Sequence, residues 1–258
     1  MNVVVTGGGT IAPIDDVRNL ANVSSGRFSA MISEACLKRG ATVWHLHTPS
    51  AQLPFVRQAR LDLDTPDPEA EFARLDRLRH EWRTVAGRLH LVPLQQGTVT
   101  DYAANLERLL RERPIDVAFL AMAVSDFEPR PIAGKLDSQA DSLIIHAQRT
   151  PKVIQSVRDW SPGLFLVGFK LLSRVPLPEL LAEAEAACRT NRADLTVAND
   201  LQTLRAGQHT VHLVRPGHRA ETLEPGESLA ERLVDRVLSL AKRRNLAESG
   251  SSANTSTP

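Results

Sequence analysis

The sequence predicts an α/β fold, a doubly wound and mostly parallel sheet with helices on both faces and a small β extension near its end. Short apolar runs alternate with amphipathic stretches along most of the 258 residues, the pattern left by strands joined through helical crossovers. Most of these runs are apolar at every position, as strands covered on both faces are. Only HTVHLV, residues 209–214, alternates like a half-exposed antiparallel strand.

The expected strands are VVVT (3–6), TVWHL (42–46), LHLVP (89–93), VAFLAMA (117–123), LFLVGF (164–169) and LTVAN (195–199). Helices fall between them at about 26–39, 67–86, 101–112, 151–159 and 178–191. In the first, Met31, Ile32, Ala35, Cys36 and Leu37 recur at helical spacing and Gly40 closes the last turn. The second is highly charged and is expected to lie on the surface, packed along Phe72, Leu75, Leu78 and Trp82. A final helix, 228–244, carries Leu229, Leu233, Val237 and Leu240 toward the core and ends in basic residues that suit its C-terminus. The expected organisation is a single domain over 1–247, with a β extension at about 200–216 that makes a dimer contact, and a disordered tail at 248–258. That tail is small and polar and buries too little to offset its ordering entropy.

Composition narrows the function. A net charge of +1 gives no footprint for nucleic acid, so any anion site is local. No apolar run has the length of a membrane span, and MNVVVTGGG lacks the plan of a secretory signal, which points to the cytoplasm. Cys36 and Cys188 share no ligand spacing and read as buried free thiols. His45 and His47 share a strand face, an arrangement that is metal-capable but more often partly buried structure.

In a doubly wound sheet the ligand lies outside the carboxyl ends of the strands. The first such segment, GGGTIAPIDDVRNLANVSSGR (7–27), separates a glycine turn from its helix by a long polar loop. This is not a dinucleotide fingerprint, which runs straight from turn to helix. It offers two anion-friendly elements instead: the turn at Gly7, Gly8 and Gly9, and the helix start at Ser24, Ser25 and Gly26, with either serine as N-cap. The loop between them carries Arg18, a phosphate clamp by geometry, and Asn22, an uncharged orienter of a carboxyl or carbonyl oxygen. A surface loop with turn-forming Asn and Asp is the bland alternative. Later strand ends add Ser125 and Asp126, then Lys135 in a polar loop, Pro151 at a helix start, and Phe169, Asn199 and Asp200. Each has an ordinary structural reading, and only their shared edge argues for a site.

These motifs, VTGGGT to NVSSGR, AVSDF, GK before a polar loop, TPK, GFK and VAND, together resemble phosphopantothenoylcysteine synthetases. The resemblance runs from Val3 to about residue 214. It implies a Rossmann-like ligase that activates the carboxylate of 4′-phosphopantothenate with ATP or CTP and Mg²⁺, then passes the acyl group to L-cysteine. It also implies that Gly8, Ser24, Gly26, Phe169 and Asn199 bind the nucleotide. Lys135 would face the triphosphate, and Asn22 would hold the acyl group. Met122, Ala123 and Asp126 would surround phosphopantothenate, and Arg18 would reach substrate in the second subunit of a homodimer. The wording of AVSDF and GFKL and the helical insertion favour ATP. Arg189 and Arg192 stand near the place of lysines in CTP-using members. Met122 and Ser29 replace smaller family residues, which raises a different acyl substrate as an alternative, and the missing lysines, with only Lys135 kept in KLDS, raise a non-catalytic nucleotide binder. A nicotinamide dehydrogenase is weaker still, since no acidic residue ends the second strand. A decarboxylase is expected as a separate partner, because the chain starts at its first strand.

Overall fold

The computed structural model describes residues 1–136 and 141–252, with side chains through Ala247. Its strands are β1 (Asn2–Gly7), β2 (Ile11–Pro13), β3 (Asn19–Ala21), β4 (Thr42–His47), β5 (Leu89–Pro93) and β6 (Val117–Leu120). They continue with β7 (Phe127–Pro129), β8 (Ala147–Arg149), β9 (Phe165–Leu172), β10 (Leu195–Asp200), β11 (Val211–Val214) and β12 (Glu221–Leu223). The helices are α1 (Arg27–Lys38), α2 (Pro68–Val85), α3 (Val99–Glu112), α4 (Val153–Trp160), α5 (Leu177–Thr190), α6 (Leu201–Arg205) and α7 (Leu229–Ser252).

Eight strands form the central sheet in the order β12-β11-β10-β9-β6-β1-β4-β5. The six from β5 to β10 are parallel, and β11 and β12 are antiparallel additions. Read along the chain, the parallel six follow the doubly wound order, and direction reverses between β1 and β6. A ligand crevice in such a sheet lies at the carboxyl ends of β1 and β6.

Why both faces of the strands are apolar is visible in β1. Val3 and Val5 enter one core with Ile32, Leu233 and Val237 from α1 and α7, while Val4 enters the other with Leu106 and Val157 from α3 and α4. A side-chain period of two thus feeds two helical layers. The thiols of Cys36 and Cys188 are free and buried, and burial pushes Cys36 up to about 12.

Several expectations are revised. β9 runs on to Leu172, so Phe169 lies inside a strand. VAFLAMA ends as a regular strand at Leu120, and Ala123 makes only an isolated bridge to Gly9. The outer edge belongs to β12, so 209–214 is not the last strand. Phe72 is exposed, and α2 reaches the core only through Leu78, Trp82 and Val85. Of the expected disordered tail, 248–252 continue α7, and 253–258 lie outside the described residues. Among the described residues no helix is long and apolar enough to cross a membrane.

Candidate active site

The loop after β1 is not irregular. It returns as a hairpin, with β2 and β3 antiparallel and Ile11 opposite Ala21. Its base is tied into the switch point. Ala123 N donates to Gly8 O at 2.9 Å, Thr10 N donates to Ala123 O at 3.0 Å, and Asn22 N donates to Thr10 O at 3.2 Å. The Thr10 hydroxyl also accepts from Ser125 N at 2.9 Å. Gly8, Asn22 and Ala123 therefore meet through backbone bonds.

The three glycines serve close approach of the protein to itself. A Cβ on Gly9 would lie 2.1 Å from the Asn22 carbonyl oxygen, and one on Gly7 would lie 2.1 Å from Ser29 Oγ. Gly8, at φ +93°, faces Thr48. A Cβ on Gly26, at φ +72°, would come within 3.2 Å of Gly8 N, so the turn and the α1 N-terminus touch, as two convergent anion-friendly elements require. No serine caps α1: Gly26 holds the N-cap position without a side-chain bond, and Ser25 Oγ only accepts from Arg27 N at 3.3 Å.

At the hairpin tip the sequence reading missed the central group. Asp15, buried, accepts from Val17 N and Arg18 N through Oδ1 at 2.9 and 2.7 Å. Its Oδ2 accepts from Arg18 Nε and Nη2 at 2.9 and 2.6 Å and from Leu136 N at 3.0 Å. The Arg18 guanidinium, then the Leu136 amide, hold this carboxyl well below the usual carboxylate range. Arg18 Nη2 also donates to Leu136 O at 2.9 Å. With Gly134 N on Asp16 and Ile132 N on Ile14 O, the segment 132–136 is fastened along the tip, and exposed Lys135 with it. The asparagine-like spacing of Asp15 to Val17 and Arg18 was a legible turn signal; its bond to a segment 121 residues away was not. Lys135 thus stands beside the tip and Asn22 at the base of the ribbon, five residues apart along it from Thr10 to Asp15, or about 16 Å at the usual strand rise. Residues 137–140 of the expected polar loop lie outside the described residues.

The edge after β6 is completed by TPK. Thr150 Oγ1 donates to Ser125 O at 2.5 Å, and Lys152 Nζ pairs with Asp126. Lys152 was not singled out from sequence. On the other flank, Phe169 pairs with Val197 in register, so period two puts Phe169 and Asn199 on one face of neighbouring strands. Phe28, from the first turn of α1, meets Phe169 edge-on at 6.5 Å between centroids and His209 at 4.4 Å. Asn199 Nδ2 lies 2.8 Å from His209 Nε2. Neither Phe28 nor His209 was expected, because nothing in sequence brings residue 28 to residue 209.

Other expectations are corrected. Met122 is buried in the core with Leu94, Val99 and Val153, and Ser29 Oγ donates to Gly26 O beneath the turn, so neither side chain narrows the site. Arg189 and Arg192 lie at the far end of α5, paired with Glu185 and Asp159, because that helix runs back to the opposite sheet edge. Asp200 caps α6 through Gln202 N and Thr203 N. His45 and His47 stack at 5.9 Å, and burial pushes His45 down to about 3. Among the described residues no group of three His, Cys, Asp or Glu is placed to hold a metal.

Fold and site together define a Rossmann-like α/β domain with a hairpin strapped over its switch point. The chain belongs to the DNA/pantothenate metabolism flavoprotein C-terminal domain family, whose model matches residues 1–65 and 91–240. The unmatched stretch holds α2, an insertion into the family frame. The chain is 29% identical to the coenzyme A biosynthesis bifunctional protein CoaBC of Thermococcus kodakarensis, over 91% of this chain and 50% of that protein, so it spans about half of that relative. It is 28% identical to phosphopantothenate--cysteine ligase 2 of Oryza sativa subsp. japonica (92% of this chain, 79% of that one). To the phosphopantothenate--cysteine ligase of Homo sapiens it is 27% identical (92% and 85%). The crystal structure of the DNA/pantothenate metabolism flavoprotein from Streptococcus pneumoniae superposes with a TM-score of 0.73 at 26% identity, covering 93% of this chain and 99% of that one. A Cab2 mutant in complex with phosphopantothenate-cysteine shares the fold, with a TM-score of 0.83 at 23% identity over 96% and 88% of the two chains.

Proposed function

We propose that this chain is a phosphopantothenate–cysteine ligase that works through an acyl nucleotidylate, with ATP as the preferred triphosphate and CTP as the alternative. The observation that carries the reading is the hairpin, which brings Asn22 to the glycine turn at its base and fastens the Lys135 segment to its tip through Asp15 and Arg18. The names of the plant and human relatives support the substrate.

In this reading a carboxylate oxygen of 4′-phosphopantothenate attacks the α-phosphorus, the bond to the β-phosphate oxygen breaks, and pyrophosphate leaves. The amine of L-cysteine then attacks the acyl carbon, loses a proton, and expels the nucleoside monophosphate. Both steps concentrate negative charge, so fixed donors contribute most where that charge develops. The α1 N-terminus and the amides of the glycine turn face the phosphates, and Lys135 neutralises the departing pyrophosphate. The Asn22 amide orients the acyl oxygen without adding a charge that would repel the incoming amine. Asp126 and Lys152, ion-paired at the edge beside Ala123, line the phosphopantothenate end. Mg²⁺ would supply charge neutralisation on the triphosphate, held mainly by phosphate oxygens and water, since the described residues gather no cluster of carboxylates or imidazoles for it.

A homodimer completes the site. The hairpin exposes Val17, Leu20 and Val23, and the neighbouring segments expose Phe127 and Ile132, an apolar strip that a second copy would cover. Arg18 Nε and Nη2 are committed within the chain, so contact with substrate in the second copy falls to Nη1. The phosphopantothenoylcysteine product then passes to a decarboxylase. Met122 is buried in the core and Ser29 is bonded beneath the glycine turn, which weakens the motive for a shifted acyl substrate.

The test is pyrophosphate release by the purified chain with phosphopantothenate, cysteine, Mg²⁺ and ATP or CTP. Turnover with one of them is expected, and Lys135→Ala lowers kcat by about 100-fold or more. No release with either triphosphate overturns the reading.

A further inference from the structure

The base end of the site holds a contact whose chemistry reaches further than packing. Asn199 is buried near the carboxyl end of β10, and its Nδ2 stands 2.8 Å from His209 Nε2. The amide is placed with Nδ2 toward the ring, and in that placement Nε2 is the acceptor and the imidazole proton belongs on Nδ1. Burial lowers the pKa of His209 and keeps the ring neutral, with that lone pair available. The ring itself is held by Phe28, 4.4 Å away and inclined at 62°, and Phe28 is in turn set against Phe169 at 80°. The ring's position is therefore fixed from outside, and with its proton on Nδ1 it holds the Asn199 amide with Nδ2 toward it. Its nitrogen is committed to His209, and its Oδ1 accepts no hydrogen bond among the described residues.

We propose that His209 is a positioning residue that locks the Asn199 amide with its oxygen as the reading atom, so that the site selects nucleotides bearing an exocyclic amino group. The proposal rests on the ligase reading above and concerns its triphosphate. Adenine and cytosine present an amino donor, at N6 and N4, where hypoxanthine and uracil present a carbonyl oxygen. An acceptor held in a half-buried aromatic pocket bonds the first pair and faces the second oxygen to oxygen, leaving polar groups unpaired. The half-buried rings of Phe28 and Phe169 offer faces for either base. Selection thus runs by functional group, not by purine against pyrimidine. It admits ATP and CTP together, and the choice between those two lies elsewhere in the site.

The experiment is equilibrium binding of ATP, CTP, ITP and UTP to the full chain with Mg²⁺ and no acid substrate. ATP binds at least ten-fold tighter than ITP, and CTP at least ten-fold tighter than UTP. His209→Ala brings both ratios toward one. His209→Phe keeps an aromatic ring against Phe28 but has no lone pair, and it lowers the ratios in the same way if the bond and not the packing sets them. Long-range proton–nitrogen correlation on the wild-type chain shows His209 Nε2 unprotonated at neutral pH. Equal affinities, a preference for ITP and UTP, a protonated Nε2, or no binding of any of the four overturns the proposal. Loss of pyrophosphate release with the amino preference intact overturns the ligase reading alone.

Discussion

Gly9→Ala tests whether the hairpin, and not the glycine turn as a phosphate cradle, is the reason for glycine at this position. The added Cβ would sit 2.1 Å from the Asn22 carbonyl oxygen and 3.0 Å from its carbonyl carbon, where ordinary contact begins at 3.4 Å. The obstructing atoms are backbone, which has no rotamer to escape through. The strands at the hairpin base must move apart by about 1.3 Å, and Asn22 moves with them. Overpacking of this kind costs about 1–3 kcal/mol of stability, and a displacement of about 1 Å in a positioning group costs on the order of 100-fold in rate. The assay is kcat/KM for pyrophosphate release beside a thermal melt, with Gly87→Ala as control, since nothing lies within 4 Å of a Cβ there. Gly7→Ala provides the contrast: its obstruction is the Ser29 side chain, so adding Ser29→Gly relieves it, whereas no side-chain change rescues Gly9→Ala. A Gly9→Ala protein with undiminished activity would refute the claim that the Gly9–Asn22 contact sets the acyl end of the site.

Asp15→Asn keeps the side-chain size but replaces an acceptor for five bonds with a group that must turn its NH₂ toward other donors. Segment 132–136 then exchanges amide hydrogen faster and kcat/KM falls about 100-fold; unchanged exchange there contradicts the clasp. His45 is held near 3 against an ordinary 6.5, so the unfolded chain binds a proton there that the folded chain does not. Its stability contribution is complete above about pH 6.5 and falls with pH, by about 2 kcal/mol between pH 7.5 and 5; denaturant midpoints for His45→Gln show a correspondingly flatter pH dependence. Asp194 accepts from Arg158, Arg244 and Leu166 N at the sheet edge opposite the site. Asp194→Ala costs about 3 kcal/mol by removing the carboxylate that the two partly buried guanidinium groups share, their bonds to backbone carbonyls remaining, a loss of roughly 6–12 °C in Tm, with turnover retained below the transition.

The parts of this protein legible in sequence are those governed by neighbours in the chain. Apolar runs such as VVVT and LTVAN declare strands covered on both faces, and β1 and β10 occupy nearly the expected residues. The separation of glycine turn from helix declared a loop of special purpose, and Gly8 and Gly26 do touch. Short elements failed for the same reason that long ones succeeded. The three-residue strands β2, β3, β7 and β8 carry too few positions for a period, and they exist only because their partners are present.

The site divides along the same line. Sequence by itself located the segments that stand at the carboxyl edge, because strand ends and turns are local and the edge follows from the doubly wound order. Tertiary structure alone decided which of those groups act on one another. Asp15 grips Leu136, Phe28 meets His209, and Lys152 reaches Asp126 across chain separations that no local pattern encodes. It also buried Met122 in the core and Ser29 beneath the glycine turn, and carried Arg189 and Arg192 to the far edge, since a helix running against its strands delivers its two ends to opposite ends of those strands.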